Sequence, residues 1–161
     1  FRKEAGSWGA HVRGLNRLHQ FDKVEIVQIE KEKNSEKALE SMCDYVESLI
    51  KSLKISYRKL LLCAGDLGFA SSITYDFEVY SPGQERWLEC SSVSNFKTYQ
   101  SNRMNLKIRD GKNKFLAHTL NGSALALPRI VAAILETHQN GNEINLPEVL
   151  HEYTGFKKIN L

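Results

Sequence analysis

Residues 73–92 constrain the fold most, because they contain two strand patterns joined by a short turn. Apolar and polar residues alternate from Ile73 to Tyr80, as in a strand with one buried face. The proline and glycine at positions 82 and 83 are typical of a turn, and Arg86 to Ser92 forms the returning strand. Strands joined by so short a turn run antiparallel. We therefore expect an antiparallel β-sheet.

The first 25 residues predict another hairpin. Its two charged, strand-like segments flank a glycine-containing centre, with Arg2 and Glu4 on one face of the first strand. Arginines, an aromatic ring and carboxylates in rows suit a ligand that carries phosphates, a flat base and an ammonium group. An ordinary solvated sheet face with surface ion pairs is the alternative. One face of the returning strand would carry Arg17, His19, Phe21, Lys23 and Glu25.

Helices are predicted beside these strands. An apolar stripe at helical spacing extends from Ala38 to Leu53. A second helix should begin near Leu127, because Pro128 is tolerated only in a first turn. Further predictions are a strand over 57–63, a strand over 114–119 and a terminal helix over 146–154. The pattern as a whole indicates an α+β fold, an antiparallel β-sheet flanked by helices.

The segment from Ser94 to Asp110 is polar and basic. Its cations are Lys97, Arg103, Lys107 and Arg109. A solvated linking segment and a contact with RNA phosphate are both compatible with this composition.

Composition excludes several classes of protein. The 161 residues suffice for one domain, 42% are hydrophobic, and the net charge is only +3. No apolar run reaches membrane-spanning length and no secretory leader is present, so we expect no membrane association and a cytoplasmic location. The three cysteines lack metal-binding spacing. Because the chain begins at Phe1, inside a predicted strand, we expect a fragment.

Two segments resemble signature motifs of class II aminoacyl-tRNA synthetases in their seryl-tRNA synthetase form. The segment at 119–129, with Asn121, Ser123 and Arg129, resembles motif 3. Ser123 stands where the family usually has threonine, and Asn102 where two consecutive arginines are common. Motif 2 of that family is resembled by Phe1-Arg2-x-Glu4-Ala5-Gly6-Ser7 followed by Arg13-Gly14-Leu15-x-Arg17-x-His19-Gln20-Phe21-x-Lys23-Val24-Glu25.

The resemblance implies a nucleotide site. Arg2 would hold the ATP α-phosphate, Glu4 would lie near the nucleotide, Phe21 would stack on adenine, and Arg129 would reach the terminal phosphate. Arg17, on the same predicted face as Phe21, is a further candidate for nucleotide contact. Arg2 and Arg129 would be the catalytic residues, because they stabilise charge on the phosphates.

The resemblance also implies a serine site and a metal site. Glu25 would bind the serine ammonium group, and Asn121 and Ser123 would lie around the serine hydroxyl. Glu89 and Ser92 would hold Mg²⁺ on ATP. By spacing alone these two are a poor metal site, although magnesium completes its shell with phosphates and water.

The implied activity is that of a serine–tRNA ligase, in which ATP activates serine to seryl-adenylate and the seryl group passes to the 3′ end of tRNA(Ser). The alternatives are a non-catalytic synthetase-like module that binds nucleotide or RNA, and a fragment that is inactive in isolation. Residues 1–161 would form one partial catalytic domain, with the motif 2 hairpin at 1–29, a metal and ATP hairpin at 73–95, and the motif 3 strand and helix at 115–138. Motif 1, through which we expect the full-length protein to form a homodimer, and the N-terminal tRNA-binding arm have no match.

Overall fold

The computed structural model describes residues 14–161. The predicted first strand of the opening hairpin, with Arg2 and Glu4, lies outside the described residues. The elements in chain order are β1 (Lys23–Glu30), α1 (Ser35–Ser52), β2 (Tyr57–Leu61), β3 (Ile73–Ser81), β4 (Arg86–Asn95), α2 (Tyr99–Met104), β5 (Lys107–Asp110), β6 (Asn113–Leu116), β7 (His118–Ala126), α3 (Leu127–Thr137), β8 (Gln139–Asn140), β9 (Glu143–Asn145), α4 (His151–Thr154) and β10 (Lys158–Asn160).

The central sheet has five strands in the order β1-β7-β4-β3-β2, with antiparallel neighbours throughout. The antiparallel sheet and flanking helices predicted from the sequence are therefore confirmed. A three-stranded sheet of β8, β9 and β10 and a two-stranded hairpin of β5 and β6 complete the fold.

Helix α1 packs on the central sheet through the predicted apolar stripe. Met42, Val46 and Ile50 are almost completely buried, together with Phe77 and Leu120 of β3 and β7. A helix with apolar residues every three or four positions buries one face in this way. Helix α3 begins at Leu127 with proline in its first turn, as predicted.

The predicted strand over 17–25 is wrong in its first part. Residues 14–16 form a 3₁₀ turn, and β1 begins only at Lys23. Lys23 is paired with Ala126, the last residue of β7. Beyond that point β7 provides no further strand residue for pairing, so Arg17, His19 and Phe21 lie in an irregular segment.

The segment 94–110, which the sequence leaves open between a solvated linking segment and a contact with RNA phosphate, has secondary structure of its own. The segment contains the end of β4, the short helix α2 and β5. Asn105, in the left-handed conformation with φ 52°, ends α2. The predicted strand over 114–119 is divided between β6 and β7, and the predicted terminal helix is a 3₁₀ turn followed by α4, whose C-cap is Gly155.

The cysteines occupy two kinds of environment. Cys43 and Cys90 are buried, whereas Cys63 is exposed in the turn after β2. Burial raises the pKa of Cys43 to about 11 and that of Cys90 to about 12. Within residues 14–161, no helix is long and apolar enough to cross a membrane.

Candidate active site

An open cleft of about 590 Å³ lies between the irregular segment before β1 and the start of α3. Phe21, a residue that is 48% exposed, contributes an aromatic surface to it. The partly buried Arg17 lines the same cleft, as do Lys23 and Arg129. The structure thus brings Arg17, Phe21 and Arg129 together.

Arg129 connects three parts of the chain. It lies in the first turn of α3, and its Nε donates a hydrogen bond to the Asn16 carbonyl oxygen at 3.2 Å. Its Nη1 donates to the Glu89 carbonyl oxygen of β4. A guanidinium group has five N–H donors, so these two contacts orient the group and leave donors for a ligand.

Glu25 and Ser123 meet across the β1–β7 pair. They are direct partners in the strand register, and the Ser123 hydroxyl donates to Glu25 Oε1 at 3.4 Å. Ser123 is 7% exposed, whereas Glu25 is open to solvent. The Lys23 ammonium group lies 2.6 Å from the same Oε1, so this carboxylate is accessible to an alkylammonium group.

Asn121 is held two residues along β7 on the same face. Its Nδ2 donates to Gln100 Oε1 at 3.3 Å, and the Thr119 hydroxyl donates to the same oxygen at 2.7 Å. Gln100 belongs to α2, so this helix fixes the amide orientation of Asn121. No periodic pattern in the sequence identifies Gln100 as a supporting residue.

Gly122 lets β7 approach β4 closely. A Cβ added there would lie 2.8 Å from Val93 Cγ2 and 2.9 Å from the Ser92 carbonyl oxygen. Such distances are too short for any larger residue without a shift of the strands. The glycine therefore places Ser92 of β4 beside Ser123 of β7.

Glu89 and Ser92 line a second cavity, of about 360 Å³, on β4. Asp76 of β3 lines it as well and is the strand partner of Ser92. The Asp76 Oδ1 atom is buried and has no hydrogen-bond partner among the described residues. Asp76 was not among the site residues predicted from the sequence, although an aspartate in the middle of an alternating strand is a signal that could have identified it.

Burial raises the pKa of the Glu89 and Asp76 carboxyl groups in this cavity. For Glu89 the Asp76 carboxylate raises it further, while Arg129 opposes the shift. For Asp76 a hydrogen bond from Ser92 opposes the shift, and the Glu78 carboxylate adds to it. The cavity thus concentrates negative charge and would favour a cation.

The two predicted metal ligands, Glu89 and Ser92, line the same cavity but are too few to hold a metal ion by themselves. Among residues 14–161, no three side chains of His, Cys, Asp or Glu form a group that could hold a metal ion. Glu89 and Ser92 are on one strand, three residues apart. Arg2 and Glu4, the remaining predicted nucleotide contacts, lie outside the described residues.

A protein-family model matches most of the chain. Residues 1–138 match the family described as tRNA synthetase class II core domain (G, H, P, S and T). The serine–tRNA ligase of Salinibacter ruber is 53% identical over 163 residues, which cover 99% of this chain and 38% of that protein. The chain therefore spans well under half the length of this relative.

Solved structures give the same result. The crystal structure of seryl-tRNA synthetase from Pyrococcus horikoshii complexed with ATP has a TM-score of 0.93 and 40% identity, covering 99% of this chain and 36% of that one. The cytoplasmic serine–tRNA ligase of Naegleria fowleri in complex with AMP has a TM-score of 0.91 and 33% identity, covering 100% of this chain and 39% of that one.

Proposed function

The chain belongs to the class II tRNA synthetase core-domain family, and on that basis we propose that it forms the ATP- and serine-binding part of a serine–tRNA ligase. The observation that carries the proposal is the pair formed by Glu25 and Ser123 on adjacent strands. A carboxylate beside a buried hydroxyl matches the ammonium and hydroxyl groups of serine. The serine–tRNA ligase of Salinibacter ruber, which is 53% identical to this chain, supports the same function.

Selection of serine over alanine would depend on polar groups of the site that only serine can pair with. Serine would displace Lys23 from Glu25 and place its own ammonium group there, with its hydroxyl near Ser123 and Asn121. Alanine has no hydroxyl and would leave the buried Ser123 hydroxyl and the partly buried Asn121 amide without that partner, which is costly. The site is therefore expected to reject alanine strongly.

ATP would bind in the 590 Å³ cleft. Phe21 offers its exposed ring to adenine, and Arg129 offers its remaining donors to the phosphates. Arginine suits this position because its planar fork matches phosphate oxygens. The complexes of the Pyrococcus enzyme with ATP and of the Naegleria enzyme with AMP support a nucleotide in this fold. Arg17 would add positive charge from the irregular segment, and Arg2 and Glu4 would complete the contacts.

In the first half-reaction a serine carboxylate oxygen attacks the ATP α-phosphorus, the bond to the β-phosphate breaks, and pyrophosphate leaves. In the second, a ribose hydroxyl of the tRNA 3′ end attacks the seryl carbonyl carbon and AMP leaves. No side-chain nucleophile is needed, so the residues of the chain act by orientation and by stabilising charge.

Magnesium fits the second cavity. The orphaned Asp76 Oδ1 and the Glu89 carboxylate provide hard oxygen atoms beside the Ser92 hydroxyl, and such oxygens are the ligands that Mg²⁺ prefers. Glu89 and Ser92 would hold the ion, with Asp76 facing them. Bound there, Mg²⁺ would neutralise phosphate charge.

The assembly around this core is part of the same proposal. The full-length protein would be a cytoplasmic homodimer that binds tRNA(Ser). Within the chain, residues 1–29, 73–95 and 115–138 would supply the motif 2 hairpin, the metal and ATP hairpin, and the motif 3 strand and helix.

A chimera tests the function. Residues 1–161 replace the matching part of the Salinibacter ruber ligase, and serine-dependent exchange of pyrophosphate into ATP is measured. We expect exchange with serine and none with alanine. The Glu25→Gln chimera, which keeps the shape of the side chain, should lose exchange by about 100-fold.

Two outcomes would contradict the proposal. A folded chimera without serine-dependent exchange would remove the ligase function. Exchange that persists in the Glu25→Gln chimera would remove the assignment of the serine site.

A further inference from the structure

The hairpin of β5 and β6, residues 107–116, concentrates positive charge. Residues 97–114 contain six lysines and arginines against one aspartate, a net contribution of +5 in a chain whose total is +3. The remaining residues are therefore net acidic. We call the exposed cations of the hairpin, Lys107, Arg109, Lys112 and Lys114, the basic patch.

The basic patch works against the stability of its own hairpin. Arg109 and Lys114 are direct partners in the antiparallel register, which puts their Cβ atoms about 5 Å apart. Like charges in opposite positions are destabilising. No side chain of the patch has a hydrogen bond or ion pair with another residue of the range 14–161, so the fold provides no compensation.

The only acidic residue of the hairpin is neutralised. Asp110 accepts an ion pair from Lys31 at 2.8 Å, and this contact lowers the pKa of the Asp110 carboxyl group. Lys33 adds a second nearby cation that lowers it further. The carboxylate thus attaches the hairpin to the segment after β1 and is engaged by that attachment.

The hairpin is firmly anchored behind the patch. Ile108 and Phe115 are partners on the opposite face and are half-buried. Gly111, at φ 60°, closes the two-residue turn. At its base, the Leu106 amide donates to the Ser101 carbonyl at 2.8 Å. The cations are therefore presented on a defined backbone at intervals of about 7 Å along a strand.

We propose that the basic patch binds the sugar-phosphate backbone of the tRNA substrate. This inference rests on the proposed function, because the RNA is that of the ligase reaction. Unpaired lysines and arginines in a row attract polyphosphate chains and carry no base readout. The patch has no exposed aromatic residue, so it would hold the backbone rather than unstacked bases.

The position of the hairpin separates this contact from the active site. The hairpin leads into β7 at His118, whereas Arg129 lies just beyond the other end, Ala126. Nine strand residues span about 26 Å. A small nucleotide could not reach both places, but an RNA whose 3′ end enters the cleft could.

Two other occupants fit less well. A second copy of the chain would bring two basic patches together across a two-fold axis, with mutual repulsion. An anionic lipid surface would favour apolar residues at the tip, but neither the turn residues Gly111 and Lys112 nor the adjoining Asn113 has an apolar side chain.

The test compares two triple variants of equal charge. K107Q/R109Q/K114Q removes three cations of the patch, and K54Q/R86Q/K157Q removes three cations from other surfaces, none of which has an ion pair within residues 14–161. Affinity for a fluorescein-labelled tRNA(Ser) transcript is measured by anisotropy between 50 and 200 mM KCl, with the full chain.

The patch variant should bind on the order of 10-fold more weakly at low salt, with a slope of log K against log salt that is about 2 to 3 smaller. The control should stay within about 2-fold. Equal losses in both variants, or unchanged binding by the patch variant, would overturn the inference. Binding of phosphatidylserine vesicles that depends on the patch while tRNA affinity does not would also overturn it.

Folding and function are separated in the same design. Because the patch variant removes a repulsion, its midpoint of thermal unfolding should equal or exceed that of the unchanged chain. If it falls, Arg109→Gln alone should still reduce the slope by about 1. Serine-dependent exchange by the unmutated chimera reports the proposed function without tRNA, so loss of exchange with intact patch-dependent RNA binding would refute the ligase function alone.

Discussion

The candidate site has two halves that the fold positions in different ways. One half lies on strands whose register fixes each side chain against a neighbour. It consists of Glu25, Glu89, Ser92, Asn121 and Ser123. The other half, residues 15–22, has no strand and leaves Phe21 half-exposed. We call the strand half the floor of the site, because strand pairing holds it, and the irregular half its wall, because residues 15–22 have no strand pairing.

This difference assigns the halves different energetic roles. Substitutions in the floor should change stability and chemistry together, because the same contacts support both. Substitutions in the wall should change ligand affinity alone. Arg129 joins the halves through the carbonyls of Asn16 and Glu89.

The largest effect is expected at that junction. Arg129→Ala in the chimera should lower serine-dependent pyrophosphate exchange by about 100-fold or more, because one transition-state donor is lost. Arg129→Lys keeps the charge but loses the planar fork, so its exchange activity should lie between that of the unmutated chimera and that of the Arg129→Ala chimera. A loss below about 5-fold would mean that the halves act independently.

Gly122→Ala tests the floor. The added Cβ would overlap Val93 and the Ser92 carbonyl, so the free energy of unfolding should fall by about 1–3 kcal/mol, as measured by urea denaturation. Gly68→Ala is the matched control, since nothing lies within 4 Å of its Cβ position. Equal stability of the two variants would show that the strands can separate at no cost.

Phe21→Ala tests the wall. Loss of a stacking surface should weaken ATP binding by about 10-fold, whereas the stability of a half-exposed position should change by less than about 0.5 kcal/mol. Calorimetric titration with ATP measures the first quantity and thermal unfolding the second. Leu15→Ala, at 45% exposure in the same cleft, is the control. If Phe21→Ala lowers the free energy of unfolding as much as the free energy of ATP binding, the wall contributes to stability in the same way as the floor.

The smallest effect concerns the acidic cavity of the floor. Because the folded-state pKa of Asp76 is raised, its charge costs stability at pH above that value. Asp76→Asn should therefore raise the unfolding midpoint slightly at pH 8, and the gain should vanish as the pH falls below the raised pKa. Asp66→Asn, in the same cavity, is the control for charge. Destabilisation of the Asn variant at pH 8 would indicate an unrecognised partner for Asp76.

Much of the floor was predictable because its signals are local. The alternation from Ile73 to Tyr80 identified β3, and the returning strand identified β4. The stripe from Ala38 to Leu53 identified α1, and Pro128 marked the start of α3. Each depends on periodicity or on a backbone restriction that a short segment contains by itself.

The remainder depends on partners distant in sequence. The start of β1 at Lys23 follows from where β7 ends, and no pattern within 17–25 contains that information. The significance of Asp76 depends on its position beside Glu89 and Ser92, where its Oδ1 atom has no hydrogen-bond partner among the described residues. The sequence near Asp76 does not contain that information. The β5–β6 hairpin was hidden because its strands have only four residues each.

The unequal placement of the cysteines makes the protein convenient to label. At neutral pH Cys43 and Cys90 are buried thiols with strongly raised pKa values, so a maleimide dye should attach to the exposed Cys63. This residue lies in the turn between Leu62 and Asp66, both of which line the acidic cavity. A single dye on the natural sequence would thus be an optical reporter of what enters that cavity.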